Sequence, residues 1–241
     1  MKQQQASSSH RRYPDAVAGK VFEVRIPAGA VVLDGEFSVP EHLRGVVIFA
    51  HGSGSSRHSP RNRYVANVLN QIGLATLLFD LLTQEEEAID LRTAELRFDI
   101  GLLAKRLVQA TDWLLKQPQA KKVKIGYFGA STGAAAALVA AAEAPRRLGA
   151  VVSRGGRPDL AGSALPRVQV PTLLIVGGDD APVIDMNREA MAQLRCEKRL
   201  EIVPGATHLF EEPGMLEQVA RLAREWFELY LGKRTDESKA A

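Results

Sequence analysis

The sequence predicts an α/β protein: a mostly parallel, doubly wound sheet with helices on both faces, entered through an N-terminal antiparallel hairpin. Three observations carry this expectation. Short continuous apolar runs, such as Gly45-Val46-Val47-Ile48-Phe49-Ala50 and Leu74 to Phe79, alternate with amphipathic segments; this is the pattern of strands buried on both faces and joined by crossover helices. The stretch Tyr127-Phe128-Gly129-Ala130-Ser131-Thr132-Gly133-Ala134 sets a serine between two glycines at the end of one such run. Every chemically useful side chain falls just after a strand, at the carboxyl edge where open parallel sheets bind ligands.

Taken in order, Lys20 to Ile26 and Gly29 to Phe37 alternate around Pro27-Ala28-Gly29 and read as a hairpin. The third strand, Arg44 to Ala50, ends in His51-Gly52-Ser53-Gly54-Ser55-Ser56-Arg57. Ser59-Pro60 then starts a helix, a capping hydroxyl followed by proline in the first turn, and Gly73 stops it after Gln71. Leu74 to Phe79 is the next strand. Thr83 to Asp90 reads as an acidic loop with a solvated face, leading to a helix from Ala94 to Lys116 that Pro118 closes. The elbow strand Val123 to Phe128 and its helix follow, then strands at Ala150 to Ser153 and Val170 to Val176. A helix from Ile184 to Leu194, a strand from Leu200 to Val203 and a helix from Met215 to Leu231 complete the chain. The length, 241 residues, suits one domain over residues 19–232, with residues 1–18 and 233–241 as disordered tails.

Composition excludes several classes. No window approaches the roughly 18 uninterrupted apolar residues of a membrane span. The first residues, Met1 to Ser9, carry no apolar core and do not read as a secretory signal. A net charge of +3, spread over pairs such as Arg11-Arg12 and Lys121-Lys122, does not argue for nucleic acid. With one cysteine and scattered histidines there is no metal-ligand spacing, and no cofactor motif appears. Cys196 allows no internal disulfide and suits a reducing, cytoplasmic compartment.

The serine between glycines predicts a specific geometry. The chain turns so sharply from strand to helix that only small neighbours avoid a clash, and the hydroxyl stands clear at the helix's positive end. A serine hydroxyl needs a base within reach. Of the five histidines, His10 lies in the tail, His42 precedes the third strand, and His51 and His58 lie upstream on the glycine loop. His208, between the last strand and last helix, fits the chain order serine, acid, histidine. The acid is expected in Leu173-Leu174-Ile175-Val176-Gly177-Gly178-Asp179-Asp180: Asp180 is favoured, Asp179 is then a solvated turn residue, and Asp185 and Asp159 are the alternatives. The carboxylate would hold the imidazole's tautomer and stabilise the imidazolium. Backbone N–H groups of Thr132 and Ser53 are the expected oxyanion donors. The rival reading of the Gly52–Ser56 loop, a phosphate cradle, fails both nucleotide-loop spacings.

HGSGSSRHSPRN after the third strand, FDLLT at 79 to 83, GASTG, LLIVGGDD and PGATHLFEEPG occur in this order over residues 20 to 231. Together they resemble the α/β-hydrolase superfamily and, within it, the small lidless dienelactone hydrolase family. The resemblance implies an α/β-hydrolase fold, Ser131, Asp180 and His208 as a triad, and ester hydrolysis without metal or cofactor. The enzymes that gave the family its name use a cysteine nucleophile, whereas this chain has serine; Cys196 reads as a small apolar filler.

Only sixteen residues separate Ser153 from Val170, where lidded relatives carry a cap, so no large cap domain and a shallow, open pocket are expected. That favours small or short acyl esters. Arg154 and Arg157, with Arg57 and His58 on the neighbouring loop, are candidates to receive a substrate carboxylate or phosphate. Their alternative role is to pair with local acids such as Asp159, Glu211 or Glu212. The helices carry only ordinary amphipathic spacing, so the expected partner is a small-molecule ester, and nothing specifies a homodimer or any other oligomer.

Overall fold

The computed structural model describes residues 19–144 and 147–232; the expected tails, 1–18 and 233–241, lie outside the described residues. Among the described residues eight strands form one sheet: β1 (Gly19–Ala28), β2 (Val31–Pro40), β3 (Gly45–Ala50), β4 (Leu74–Phe79), β5 (Lys124–Ala130), β6 (Leu148–Arg154), β7 (Thr172–Gly177) and β8 (Lys198–Val203). Their spatial order is β1-β2-β4-β3-β5-β6-β7-β8. The hairpin β1-β2 and the β2-β4 pair are antiparallel, and every later pair is parallel. Every residue of β3, β4 and β7 is buried, which is why each reads as an unbroken apolar run rather than an alternating one.

Among the described residues six α-helices cover the sheet: α1 (Pro60–Gln71), α2 (Gln84–Thr93), α3 (Ile100–Leu115), α4 (Thr132–Glu143), α5 (Ala181–Gln193) and α6 (Met215–Leu231). Side chains of α1 and α6 pack on one face with Phe49, Phe128 and Phe210. Those of α3, α4 and α5 pack on the other. Helix α4 is buried on nearly every side and is mostly alanine, so α3 can approach it closely. Beneath it the Tyr127 hydroxyl donates to Thr111 Oγ1 at 2.7 Å, while Thr111 donates to the Leu107 carbonyl. Burial pushes that phenol up to about 12, so it stays protonated. Between β6 and β7 the chain makes only a compact 3-10 segment, Pro158–Arg167, and no cap domain.

Residues 83–90 depart from the expectation of a loop: Gln84–Thr93 is helix α2. The cause is a capping box. Thr83 Oγ1 accepts from the Glu86 amide, and Glu86 accepts from the Thr83 amide at 2.8 Å, satisfying two otherwise orphaned donors. The acids Glu85, Glu86 and Glu87 then lie at the positive end of the helix. The expected helix from Ala94 correspondingly begins later, at Ile100. Ala94 adopts a left-handed conformation that ends α2, and the Asp90 carboxylate gathers the Leu96 and Arg97 amides and Arg97 Nε, folding the chain back. Asp99 then caps α3 by accepting from the Leu102 amide.

Candidate active site

Ser131 follows β5, the strand between β3 and β6, with φ 51° and ψ −122°, values that an L-residue adopts only under constraint. Three hydrogen bonds hold it. Its amide donates to the Arg154 carbonyl, and its carbonyl accepts from the Ala134 and Arg157 amides. The flanking glycines are required by close approach. A Cβ on Gly129 would lie 2.4 Å from Ala134 Cα, and one on Gly133 would lie 2.2 Å from the Ala50 carbonyl oxygen. Ser131 is the N-cap residue of α4, yet its side chain makes no capping bond, so the hydroxyl is not spent on the helix.

Asp180 opens α5 after β7, and its carboxylate likewise caps nothing. Its Oδ2 accepts a 2.7 Å hydrogen bond from His208 Nδ1. The loops carrying the two residues are tied by the Asp179 amide, which donates to the Ala206 carbonyl, while the Asp179 side chain is exposed. Thr207 bonds Glu212 through both its amide and its hydroxyl, and Phe210 turns inward at φ 56° to become fully buried. This folds the His208 loop back over the end of β6, where Gly155 lies against it. Asp185 pairs with Arg188 and Asp159 with Arg157, so neither alternative acid reaches His208. Among the described residues no hydrogen bond joins the Ser131 hydroxyl to His208; such bonds are often long without substrate and tighten in the complex.

The glycine loop lies against the nucleophile: a Cβ on Gly52 would come within 2.9 Å of Ser131 Cβ. His51 fixes this loop from below. Its Nε2 accepts from the Leu81 amide at 3.0 Å, so the proton sits on Nδ1, which donates to the Gly52 carbonyl. Burial lowers the His51 pKa, against smaller opposing effects of the Gly52 carbonyl, Asp80 and Glu87. Sequence reasoning weighed His51 only as a base; the apolar strand before it was the available sign of burial. The Thr132 amide makes no hydrogen bond among the described residues, as expected at the first position of a helix. The Ser53 amide does make one, to Thr132 Oγ1 at 3.1 Å.

The candidate substrate-binding cations are placed differently from one another. Arg57 is tied to Asp80 through its amide and its guanidinium. His58 is exposed and bonds Arg63, and Arg157 pairs with Asp159. Arg154 does not reach a rim: only 6% exposed, it points into the α1–α6 face over the Phe210 ring. Burial and the neighbouring charge of Arg61 pull it down to about 10, so it remains charged at neutral pH. Cys196 is half-buried against Thr172 and its thiol is pushed up by burial, the behaviour of a filler rather than a nucleophile. Among the described residues no group of acids, histidines and cysteine is placed to hold a metal ion, and no helix is long and apolar enough to cross a membrane.

Two hollows flank the glycine loop. One, about 30 Å³, lies between His51, Ser53, Leu81, Leu103 and Thr132. The other, about 880 Å³, opens between the hairpin tip, Arg57 and the start of α2. Neither is lined by Ser131, Asp180 or His208, so the edge carrying these residues is not enclosed by either hollow.

Comparison with known proteins accords with this architecture. A dienelactone hydrolase from Anabaena variabilis is 66% identical, covers 88% of this chain and 99% of its own, and superposes with a TM-score of 0.86. Est1E from Butyrivibrio proteoclasticus, at 17% identity, shares the fold with a TM-score of 0.71, over 85% of this chain and 97% of its own. A protein of Mycobacterium tuberculosis H37Rv, provisionally named a phosphoribosyl transferase, is 60% identical over 205 residues. That match takes in 85% of this chain but only 45% of the relative, so the chain spans less than half the length of that protein. Residues 33–229 match the dienelactone hydrolase family, and the chain belongs to it.

Proposed function

We propose that this chain is a serine hydrolase that cleaves carboxylic esters of small or short acyl chains through an acyl-enzyme on Ser131. The observation that carries the reading is the 2.7 Å Asp180–His208 hydrogen bond at the same sheet edge as a strained serine whose hydroxyl caps nothing. Ser131 Oγ attacks the ester carbonyl as His208 Nε2 takes its proton, and the carbonyl electron pair moves onto oxygen. His208 then protonates the departing alcohol. Water, deprotonated by the same imidazole, releases the acid and regenerates the serine. Asp180 holds the Nδ1–H tautomer throughout.

The short 3-10 segment between β6 and β7, with no cap domain over the sheet edge, supports small or short acyl groups. The native partner on this reading is a small-molecule ester, and a single half-buried cysteine suits a reducing cytoplasm. A thioesterase or acyltransferase would use the same residues with another leaving group or acceptor. The phosphoribosyl transferase name belongs to a protein of which the matched stretch is 45%; the groups assembled at the sheet edge here suit acyl transfer. The test is labelling by a fluorophosphonate probe together with turnover of short p-nitrophenyl esters, with Ser131→Ala as control. Labelling and turnover that both vanish in the variant support the reading. Labelling without ester turnover moves it to thioesters or transfer, and no labelling leaves a ligand-binding protein on the hydrolase fold.

A further inference from the structure

We propose that the Thr132 side-chain hydroxyl, rather than the Ser53 amide, is the second oxyanion donor of this site, with Ser53 feeding it. The inference rests on the serine-hydrolase reading and deepens it. An amide has one proton to give, and the Ser53 amide gives it to Thr132 Oγ1 at 3.1 Å. On this proposal an oxyanion beside Ser131 meets the Thr132 amide, which has no partner among the described residues, and the hydroxyl of the same residue, the atom to which the Ser53 amide points.

The hydroxyl's own proton decides the matter. Ser53 Oγ lies 3.0 Å from Thr132 Oγ1, and either atom can be the donor. If Thr132 donates to Ser53, the exposed Ser53 hydroxyl turns its proton to solvent or to the Arg97 carbonyl, at 3.5 Å, the limit of a hydrogen bond. If Ser53 donates to Thr132, the oxygen of Thr132 accepts two hydrogen bonds and its proton is free. An anionic acceptor selects the second arrangement, because a charge-assisted bond is roughly twice as strong as a neutral one. Two donors into the same oxygen also polarise its O–H, and Thr132 is only 3% exposed, so water does not dilute the effect.

The step balances without another reactant. The Ser131 Oγ–carbon bond forms, the serine proton passes to His208, and the oxyanion is held by the Thr132 N–H and O–H with no proton transferred to it. Collapse expels the alkoxide with the His208 proton, and the Thr132 hydroxyl returns to its resting bonds.

The experiment compares wild type, Thr132→Val and Thr132→Ser for steady-state turnover of p-nitrophenyl acetate, affinity for a short trifluoromethyl ketone, rate of fluorophosphonate labelling and Tm. Valine keeps the shape and loses the hydroxyl. The expected result is a fall in kcat of about 100-fold in Thr132→Val, the scale of one lost oxyanion donor. KM should stay within a few-fold, and ketone affinity should fall in parallel with kcat. Thr132→Ser should recover most of the loss. Unchanged or faster turnover in Thr132→Val would show that the hydroxyl merely covers the Ser53 amide, overturning the proposal. So would a loss of kcat that serine does not restore, or one that leaves ketone affinity intact. Wild type that neither labels nor turns over ester would remove the serine-hydrolase reading and this inference with it, a result distinct from an active wild type with an indifferent valine variant.

Discussion

The ion pair between Glu86 and Arg106 offers the sharpest test of how the region behind the glycine loop is held. Arg106 bonds both Glu86 oxygens, at 2.6 and 2.5 Å, and the Leu81 carbonyl at 3.0 Å. The two partners are not equivalent: the Arg106 side chain is 5% exposed and that of Glu86 24%. Glu86→Ala therefore strands a buried guanidinium and opens the capping box as well. A stranded buried charge costs about 3–5 kcal/mol, and the partial exposure of Glu86 places the expectation at the lower end, about 3 kcal/mol. In a chain of this size each kcal/mol lowers Tm by roughly 2–4 °C, so the variant should melt about 6–12 °C early. Arg106→Met leaves a carboxylate that still reaches water and should cost only about 1–2 kcal/mol. The double variant Glu86→Gln/Arg106→Met should recover at least about 1.5 kcal/mol relative to the sum of its single changes.

The pH dependence carries the same signature. The hydrogen bonds from Arg106, more than any other effect, hold the Glu86 carboxyl below its usual value near 4.5. A depressed carboxyl pKa means that the unfolded chain takes up the proton first. The stabilisation is complete above pH 4.5 and is lost as pH falls through the lower folded value. Urea titrations from pH 6 to pH 3 should show a steeper loss in wild type than in Glu86→Gln. If Arg106→Met proves as costly as Glu86→Ala, or the two acid slopes coincide, the asymmetry argued from burial is wrong.

Three further expectations follow from the site. Asp180→Asn should cut ester kcat by about 10⁴-fold by offering His208 the wrong hydrogen-bonding partner, with Tm nearly unchanged; a small kinetic effect would mean another group orients the imidazole. Gly133→Ala should yield little soluble protein, since its Cβ would sit 2.2 Å from the Ala50 carbonyl oxygen and 2.4 Å from that of His51. A soluble variant with wild-type Tm would sink that account of the elbow. His51, its pKa lowered by burial from 6.5, should keep the Leu81 amide protected above about pH 6.5 and release it as pH falls through the lower folded value. A protection factor at Leu81, relative to the intrinsic exchange rate, that stays constant between pH 7 and 5 would show that the imidazole does not secure the loop.

What the sequence revealed, and what it withheld, follows from the range of the forces involved. The elbow was legible because its glycines answer to atoms a few residues away and to one neighbouring strand. The succession of strands along the chain was legible where, as in β3, β4 and β7, a strand is an unbroken apolar run. Helix α2 was just as local, a Thr83–Glu86 capping box, but its run of three glutamates reads as a solvated stretch unless the threonine three residues before Glu86 is given its weight. Arg154 is a different kind of failure. Side chains alternate faces along a strand, but β6 is buried on both, so its composition does not say which face residue 154 takes. Arg154 lies over the ring of Phe210, a residue far from it in the chain. Ser53 and Thr132 likewise meet across 79 residues, and no local pattern encodes that the Ser53 amide hydrogen is already taken. Backbone turns and the succession of strands along the chain set which side chains come to the sheet edge, and these are readable one segment at a time. Which donor is free and which cation is buried depends on side chains from two segments meeting, and no single segment records that.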